Sequence, residues 1–338
     1  MARTPSAEPP TTPRFDVARL TVIRPPFLVV AILGLALLVV FGELPGRPLL
    51  LHVLQKLGHP AVFGMIALGV LVLERQRAGA RRGVWFDYLL AFAVAVTIGG
   101  ATELGQIFTH RDPSLRDIGL DARGAACALA LAAAFDIRCR SGRWARHGRT
   151  LYVALAALLG AVILTPLAWT IAGYTVRSLR FPTLFVPATR LDLLFVSSTA
   201  GKLERMQIPP ALARAAGETA LRVPLIARPY AGVTLDEPQP DWSGYRTLAV
   251  EVTNPGRAEL MLTVRVHDRA HNGTFDDRFQ AEVAIPAGSR QTLEFPLETI
   301  RTAPRGRALD LAHLAGVMLF RNGPDGPREF WLHRVELR

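Results

Sequence analysis

Lysine is almost missing from this chain. Of 39 basic residues only Lys56 and Lys202 are lysine, so the net charge of +11 rests on arginine. The arginines gather in short runs between long apolar stretches. That placement argues against a nucleic-acid partner and for a chain threaded through a membrane. Cysteine is as scarce: Cys127 and Cys139 make no disulfide framework, and both are expected to be reduced and structural. No small-residue cleavage site follows the first apolar run, so that run reads as a retained span and not as a signal peptide. His59 has no second histidine at metal-ligand spacing, no nucleophile–base pair is evident, and GGATELG lacks the Lys-Ser/Thr end of a phosphate loop. No metal site and no cofactor are expected.

What the chain has in quantity is apolar residues, 50% of the total. They lie in long runs up to about residue 177 and in alternating patterns after it. The expected fold is an α-helical membrane bundle of about five transmembrane helices followed by an all-β, jelly-roll-like sandwich. Residues 1–24 form a polar tail. Residues 25–176 hold spans at about 25–42, 57–73, 88–108, 117–135 and 150–176, of a length to cross ~30 Å of hydrocarbon. Residues 177–338 form the sandwich. The span at 117–135 contains Asp121 and Arg123; it is kept because ARGAACALALAAAF is apolar and helix-forming and the chain must cross back.

Orientation follows from the arginines. Arg75, Arg77, Arg81 and Arg82 crowd one loop, and Arg138, Arg140, Arg143, Arg146 and Arg149 another. With Arg3, Arg14, Arg19 and Arg24 of the tail, they belong on the cytoplasmic side. The sandwich then lies outside the cytoplasm, and the chain is a multi-pass protein of the bacterial cytoplasmic membrane with the lipid bilayer as partner. The Arg/Ala-rich, lysine-poor composition looks bacterial, so the sequon Asn272-Gly273-Thr274 is discounted as a glycosylation site.

In the C-terminal half, Leu248, Val250 and Val252 alternate along one prospective strand, and Leu260, Leu262, Val264 and Val266 along another. Phe279, Ala281, Val283 and Ile285 make a third apolar face, and Leu293, Phe295 and Leu297 a fourth. The last run alternates through Phe330 and Leu332 but resumes one residue late at Val335, which predicts a bulge. The segments GETALRV, RPYAGVTLDEPQPDWSGYRTLAVEVTNP, HDRAHNGTFDDRF and PLETI resemble carbohydrate-binding-module jelly rolls with a galactose-binding-like fold, over roughly residues 181–338. The resemblance implies glycan binding, with cell-wall glycan as a candidate partner. Aromatic faces and planar polar groups suit that task, and the candidates are Trp242, Tyr245, Asp268, His271, Asn272, Asp277 and Trp331. The alternative is that Trp242 and Tyr245 pack the edge of the core and HDRAHNGTFDDR is a solvated hairpin loop.

The stretch TELGQIFTHRDPSLRD interrupts the apolar half with charge. Glu103 and Gln106 share a helical face, with Gly99 one turn before; Asp117, Asp121 and Gly124 share another. Lys56, His59 and Phe63 repeat at helical spacing in the second span. Charged groups in spans are costly and commonly functional; the alternative is interfacial ion pairs that fix helix register. Lys56-x-x-His59-x-x-x-Phe63 and Glu103-x-x-Gln106-x-Phe108-x-x-Arg111-x-x-Ser114-x-x-Asp117-x-x-x-Asp121-x-x-Gly124 resemble the two motifs of VanZ-like membrane proteins, over roughly residues 45–140. Two positions depart from the family: Gln55 stands where an acidic residue is common, and Asp121 where Asn is usual, with Arg123 as its expected counter-charge. The resemblance implies an association with glycopeptide (teicoplanin) resistance and brings no settled reaction. Two readings stay open. One is a non-catalytic envelope protein with a glycan-binding sandwich. The other is an intramembrane enzyme or handler of lipid-linked envelope precursors, with His59, Glu103 and Asp117 as catalytic candidates and Lys56, Gln106, Arg111, Ser114 and Asp121 as binding candidates.

Overall fold

The computed structural model describes residues 24–41, 48–78, 83–107, 114–140, 147–210, 212–226, 229–239, 241–323 and 326–338. It divides into two compact units, Met1–Ala168 and Trp169–Arg338. Of the expected site residues, Arg111 lies outside the described residues, as does the side chain of Gln106.

Among the described residues of the first half are five long helices: α1 (Pro25–Phe41), α2 (Leu49–Ala78), α3 (Val84–Gln106), α4 (Leu115–Phe135) and α5 (Gly148–Arg180), the last running on into the second unit. Among them α2, α3, α4 and α5 are long and apolar enough to cross a membrane; α1, with 17 residues, is a shorter apolar helix. Phe63, Ile66, Ala67 and Leu71 of α2, Ala91 and Ala95 of α3, and Ala125 and Ala134 of α4 are fully buried. Small residues let these helices approach closely where no hydrophobic effect drives them together. By contrast α5 exposes Leu151, Leu155, Leu158, Val162 and Leu164, an arrangement stable in lipid and unstable in water.

Arg75, expected in a loop, lies inside α2 and is buried. Its guanidinium donates to Asp136 Oδ2 at 2.5 Å and lies over the Tyr88 ring, 5.1 Å from the centroid. The Tyr88 hydroxyl donates to the same oxygen at 3.2 Å, and the Arg138 backbone N–H to Asp136 Oδ1 at 3.0 Å. Asp87 is 3.9 Å from both Arg75 and Arg138. Two arginines thus face two carboxylates, and the ends of α2, α3 and α4 are tied by a charge-balanced network. Both cysteines are free.

The described residues of the second unit form eleven strands: β1 (Thr183–Phe185), β2 (Val196–Ser198), β3 (Glu204–Gln207), β4 (Thr219–Pro224), β5 (Ala231–Asp236), β6 (Thr247–Thr253), β7 (Leu260–Asp268), β8 (Phe279–Ile285), β9 (Arg290–Pro296), β10 (Leu314–Arg321) and β11 (Glu329–Leu337). One antiparallel sheet runs β3-β4-β11-β6-β9 with β1 added on β11; the other runs β2-β5-β10-β7-β8. The expected apolar faces meet between them. Leu248, Val250, Val252, Leu260, Leu262, Val264, Val266 and Ile285 are all fully buried in one core. The predicted bulge is present: the pairing of β11 with β6 shifts register between Leu332 and Arg334, so that both Leu332 and Val335 face inward. A one-turn helix, α6 (Leu297–Arg301), carries the PLETI segment. The final part of α5 is pinned within this unit, where the Tyr174 hydroxyl donates to Glu237 Oε2 at 2.6 Å and Arg177 lies over the Phe195 ring at 4.4 Å.

Candidate functional sites

In the helical unit, three helices bring His59, Glu103 and Asp121 together. Their nearest ligand-type atoms all lie within 4.8 Å of one another. His59 precedes Pro60, which lies inside α2 and cannot donate its backbone nitrogen to the helix. Gly124, one turn beyond Asp121, packs on that same backbone. His59 Nδ1 is 3.2 Å from Asp121 Oδ1. Glu103 Oε2 accepts the Ser114 backbone N–H at 2.7 Å. Ser114 itself caps α4, its hydroxyl accepting the Asp117 N–H at 3.3 Å. Both carboxylates are only 1% exposed, yet Glu103 Oε1 and Asp121 Oδ2 have no hydrogen-bond partner among the described residues. Gly99 leaves the room that Asp121 needs, since a Cβ there would stand 3.1 Å from Oδ2.

The partner of Asp121 is therefore His59; Arg123 is exposed. Lys56 and Arg116 are likewise exposed, and neither forms an ion pair among the described residues. Asp117 is half-buried at the first turn of α4.

In the sandwich, the candidate aromatic residues are largely core. Trp242 is 0% exposed, with its indole N–H donated to Gln239 O at 2.6 Å, so neither ring face is open to a sugar. Trp331 is buried beside Ile208 and Ala220 and donates to Glu329 at 2.9 Å. Tyr245 is half-buried, edge-on to Phe181 at 5.3 Å, and lines a shallow groove with Arg246, Glu298 and Asp310. The polar candidates form one cluster around Arg307, a residue the sequence does not single out. Arg307 donates to both oxygens of Asp268, at 2.5 and 2.9 Å, and also to Asp277. The Asn272 backbone N–H donates to Asp277 Oδ2 at 2.8 Å, and His271 Nδ1 is 2.8 Å from Asp277 O. Asn272 Oδ1 closes a turn on the Thr274 N–H at 2.9 Å. Hydrogen bonds to Arg307 hold Asp277 at about 2 and Asp268 below the usual carboxylate range, despite burial. These groups spend their polar capacity on one another.

A different surface offers unspent capacity, the outer face of the five-stranded sheet. There Thr263, Arg265 and His267 of β7 alternate with the core residues, beside Met318 and Phe320 of β10 and Gln280 of β8. Phe320 lies across Gly232, whose missing Cβ would stand 2.6 Å from the Phe320 Cβ. Arg265 stacks on the Phe320 ring at 4.7 Å and donates to Gln280 Oε1 at 3.3 Å. Tyr230 closes the rim, edge-on to Phe320 at 5.6 Å. It is 53% exposed and is held at φ 58°, a conformation costly for a non-glycine residue. The Thr263 hydroxyl and His267 Nδ1 are buried without a partner among the described residues. Burial, with His271 and Arg265 adding, pushes His267 down to about 4, so its imidazole is neutral and able to accept or donate. The signal is present in ELMLTVRVHD: the polar residues between its core leucines and valines form this face.

Several solved structures resemble the sandwich region. A family 11 carbohydrate-binding module from Clostridium thermocellum, solved with a β-1,3-1,4-mixed-linked tetrasaccharide, aligns at 17% identity and TM-score 0.34, over 43% of this chain and 88% of that one. The family 11 module of the cellulase Lic26A-Cel5E from the same organism gives 18% and 0.33, over 46% and 92%. The CBM22-1 xylan-binding domain of Paenibacillus barcinonensis Xyn10C gives 13% and 0.29, over 42% and 84%. At these scores the likeness adds nothing to what the two sheets themselves establish. The chain matches no family model and no curated protein.

Proposed function

We propose that this chain is a VanZ-like integral membrane protein of the bacterial envelope, without a reaction of its own, whose extracytoplasmic sandwich binds glycan. The observation that carries this reading is the outer face of the five-stranded sheet. Exposed Tyr230, half-buried Arg265 stacked over the buried Phe320 ring, and half-buried His267 supply the planar and hydrogen-bonding groups that sugar rings need. Exposed leucines and valines all along α5 support a lipid setting. The association of VanZ-like proteins with teicoplanin resistance suits a protein that contacts cell-wall material.

A second reading, the handling of lipid-linked envelope precursors within the membrane, draws support from the convergence of His59, Glu103 and Asp121. The test uses the full chain in detergent on an array of cell-wall and plant-type glycans. Binding that Tyr230→Ala weakens at least tenfold supports the glycan reading. A blank array from folded protein removes it, and an affinity for undecaprenyl-type pyrophosphate lost in Glu103→Gln would favour the second.

A further inference from the structure

We propose that His59, Glu103 and Asp121 form a binding site for one divalent transition-metal ion of the zinc class. The site is independent of the glycan reading, since it lies in the helical unit and invokes no sandwich residue. The donors come from α2, α3 and α4, and His59 and Asp121 stand 62 residues apart.

Three observations carry the inference. The first is geometry. One imidazole nitrogen and two carboxylate oxygens lie within 4.8 Å of one another; donors held ~2.1 Å from a tetrahedral ion stand roughly 3.4 Å apart, so small side-chain rotations suffice. The second is unspent capacity. Glu103 directs Oε2 to the Ser114 N–H and Asp121 directs Oδ1 to His59, while Oε1 and Oδ2 remain unpartnered among the described residues though both residues are 1% exposed. A buried carboxylate oxygen without a donor is costly, and a cation satisfies it.

The third is charge. The network around Asp136 at another part of the same helices sets Arg75 and Arg138 against Asp87 and Asp136. Among the described residues, two carboxylates at the triad face a single imidazole, and Lys56, Arg116 and Arg123 are exposed. Buried carboxylates of this kind are stable when paired or metal-bound. The donor set selects the ion. One nitrogen with two oxygens suits zinc and its neighbours; an all-oxygen cage would suit calcium or magnesium, and thiolates would suit copper(I). The Ser114 N–H and the α4 cap serve as the supporting shell that orients Glu103. Three protein donors leave further coordination positions open.

The experiment uses the full chain in detergent, stripped with a chelator and then given Zn2+, with Co2+ as a spectroscopic stand-in and Mg2+ as a control. Wild type is expected to retain an equimolar amount of zinc and to unfold at a higher temperature with zinc than without it. Glu103→Gln and Asp121→Asn keep shape while removing charge; each should lower zinc affinity at least tenfold and abolish the Co2+ absorption bands. Zinc retained in full by both variants would place the ion elsewhere and overturn the site. So would wild-type protein that neither holds zinc nor gains thermal stability from it, a result that needs no variant to fold.

Discussion

Gly124 sits directly on the backbone of Pro60. A Cβ at Gly124 would collide with the Pro60 carbonyl oxygen and Cα, so α2 and α4 touch main chain to main chain. This contact places His59, the residue before Pro60, against Asp121, one turn before Gly124. Close approach here and polar convergence next to it are one feature. Gly124→Ala must therefore push the helices apart, at a cost of about 1–3 kcal/mol by the measure of overpacked cores. The expected result is a lower unfolding temperature in detergent. Gly160→Ala on α5, where a methyl meets nothing within 4 Å, should leave that temperature unchanged.

Arg307 holds two buried carboxylates, Asp268 and Asp277, that lie apart in sequence. Removing it strands both. Arg307→Met is expected to destabilise the sandwich by about 3 kcal/mol, at the lower end for a broken buried pair because the arginine is partly exposed. A denaturant titration should show the midpoint lowered with its slope unchanged. An unshifted midpoint would mean that the cluster stores little stability and is free to serve a ligand.

The sandwich should lose stability in two stages as pH falls. His333, buried with Nε2 2.7 Å from the Thr253 hydroxyl, is held at about 4, by burial first and Arg290 second; His267 is held at about 4 as well. In the unfolded chain both take up protons near pH ~6.5. Between pH ~6.5 and 4 the unfolded state thus binds more protons, and stability declines as pH is lowered through that window. Asp277 and Glu218, each held at about 2 by an arginine, extend the decline from pH ~4 towards 2. Unfolding temperatures measured from pH ~7.5 to 3 should be flat above pH ~6.5 and fall below it. His333→Gln should flatten the upper part of that fall.

The outer sheet face depends on a cross-strand fit between Phe320 and Gly232. Gly232→Val would drive a side chain into Leu319 O and the Phe320 backbone, which even a bare Cβ would overlap. Phe320 must then move, and Arg265 loses the ring beneath it. The expected outcome is weaker glycan binding together with a lower unfolding temperature. Tyr230→Ala, at an exposed rim, should weaken binding and leave the temperature nearly unchanged.

Much of the fold is legible in the order of the amino acids. Period-two alternation dictates the inward faces of β6, β7, β8 and β9, because a one-residue slip would expose every core side chain. The late return of Val335 marks the bulge in β11 for the same reason. The spacing of Glu103, Ser114, Asp117 and Asp121 marks a polar helix pair. Other features depend on distant pairing and leave no local trace. Nothing near Asp121 indicates that its partner is His59, and Arg307 is one arginine among many until β7 and its following loop fold around it. Trp242 and Trp331 look like sugar platforms by residue type, yet a large apolar ring is also what a sandwich core needs, and packing takes both.

The proposed function requires that the chain span the membrane and present its sandwich outside the cytoplasm. The most direct measurement places Asn272→Cys, on the turn after β7, in a Cys127→Ser/Cys139→Ser background and treats intact bacteria with a membrane-impermeant thiol reagent. The predicted result is labelling of that cysteine in intact cells. Labelling that appears only after the cells are permeabilised would contradict the claim.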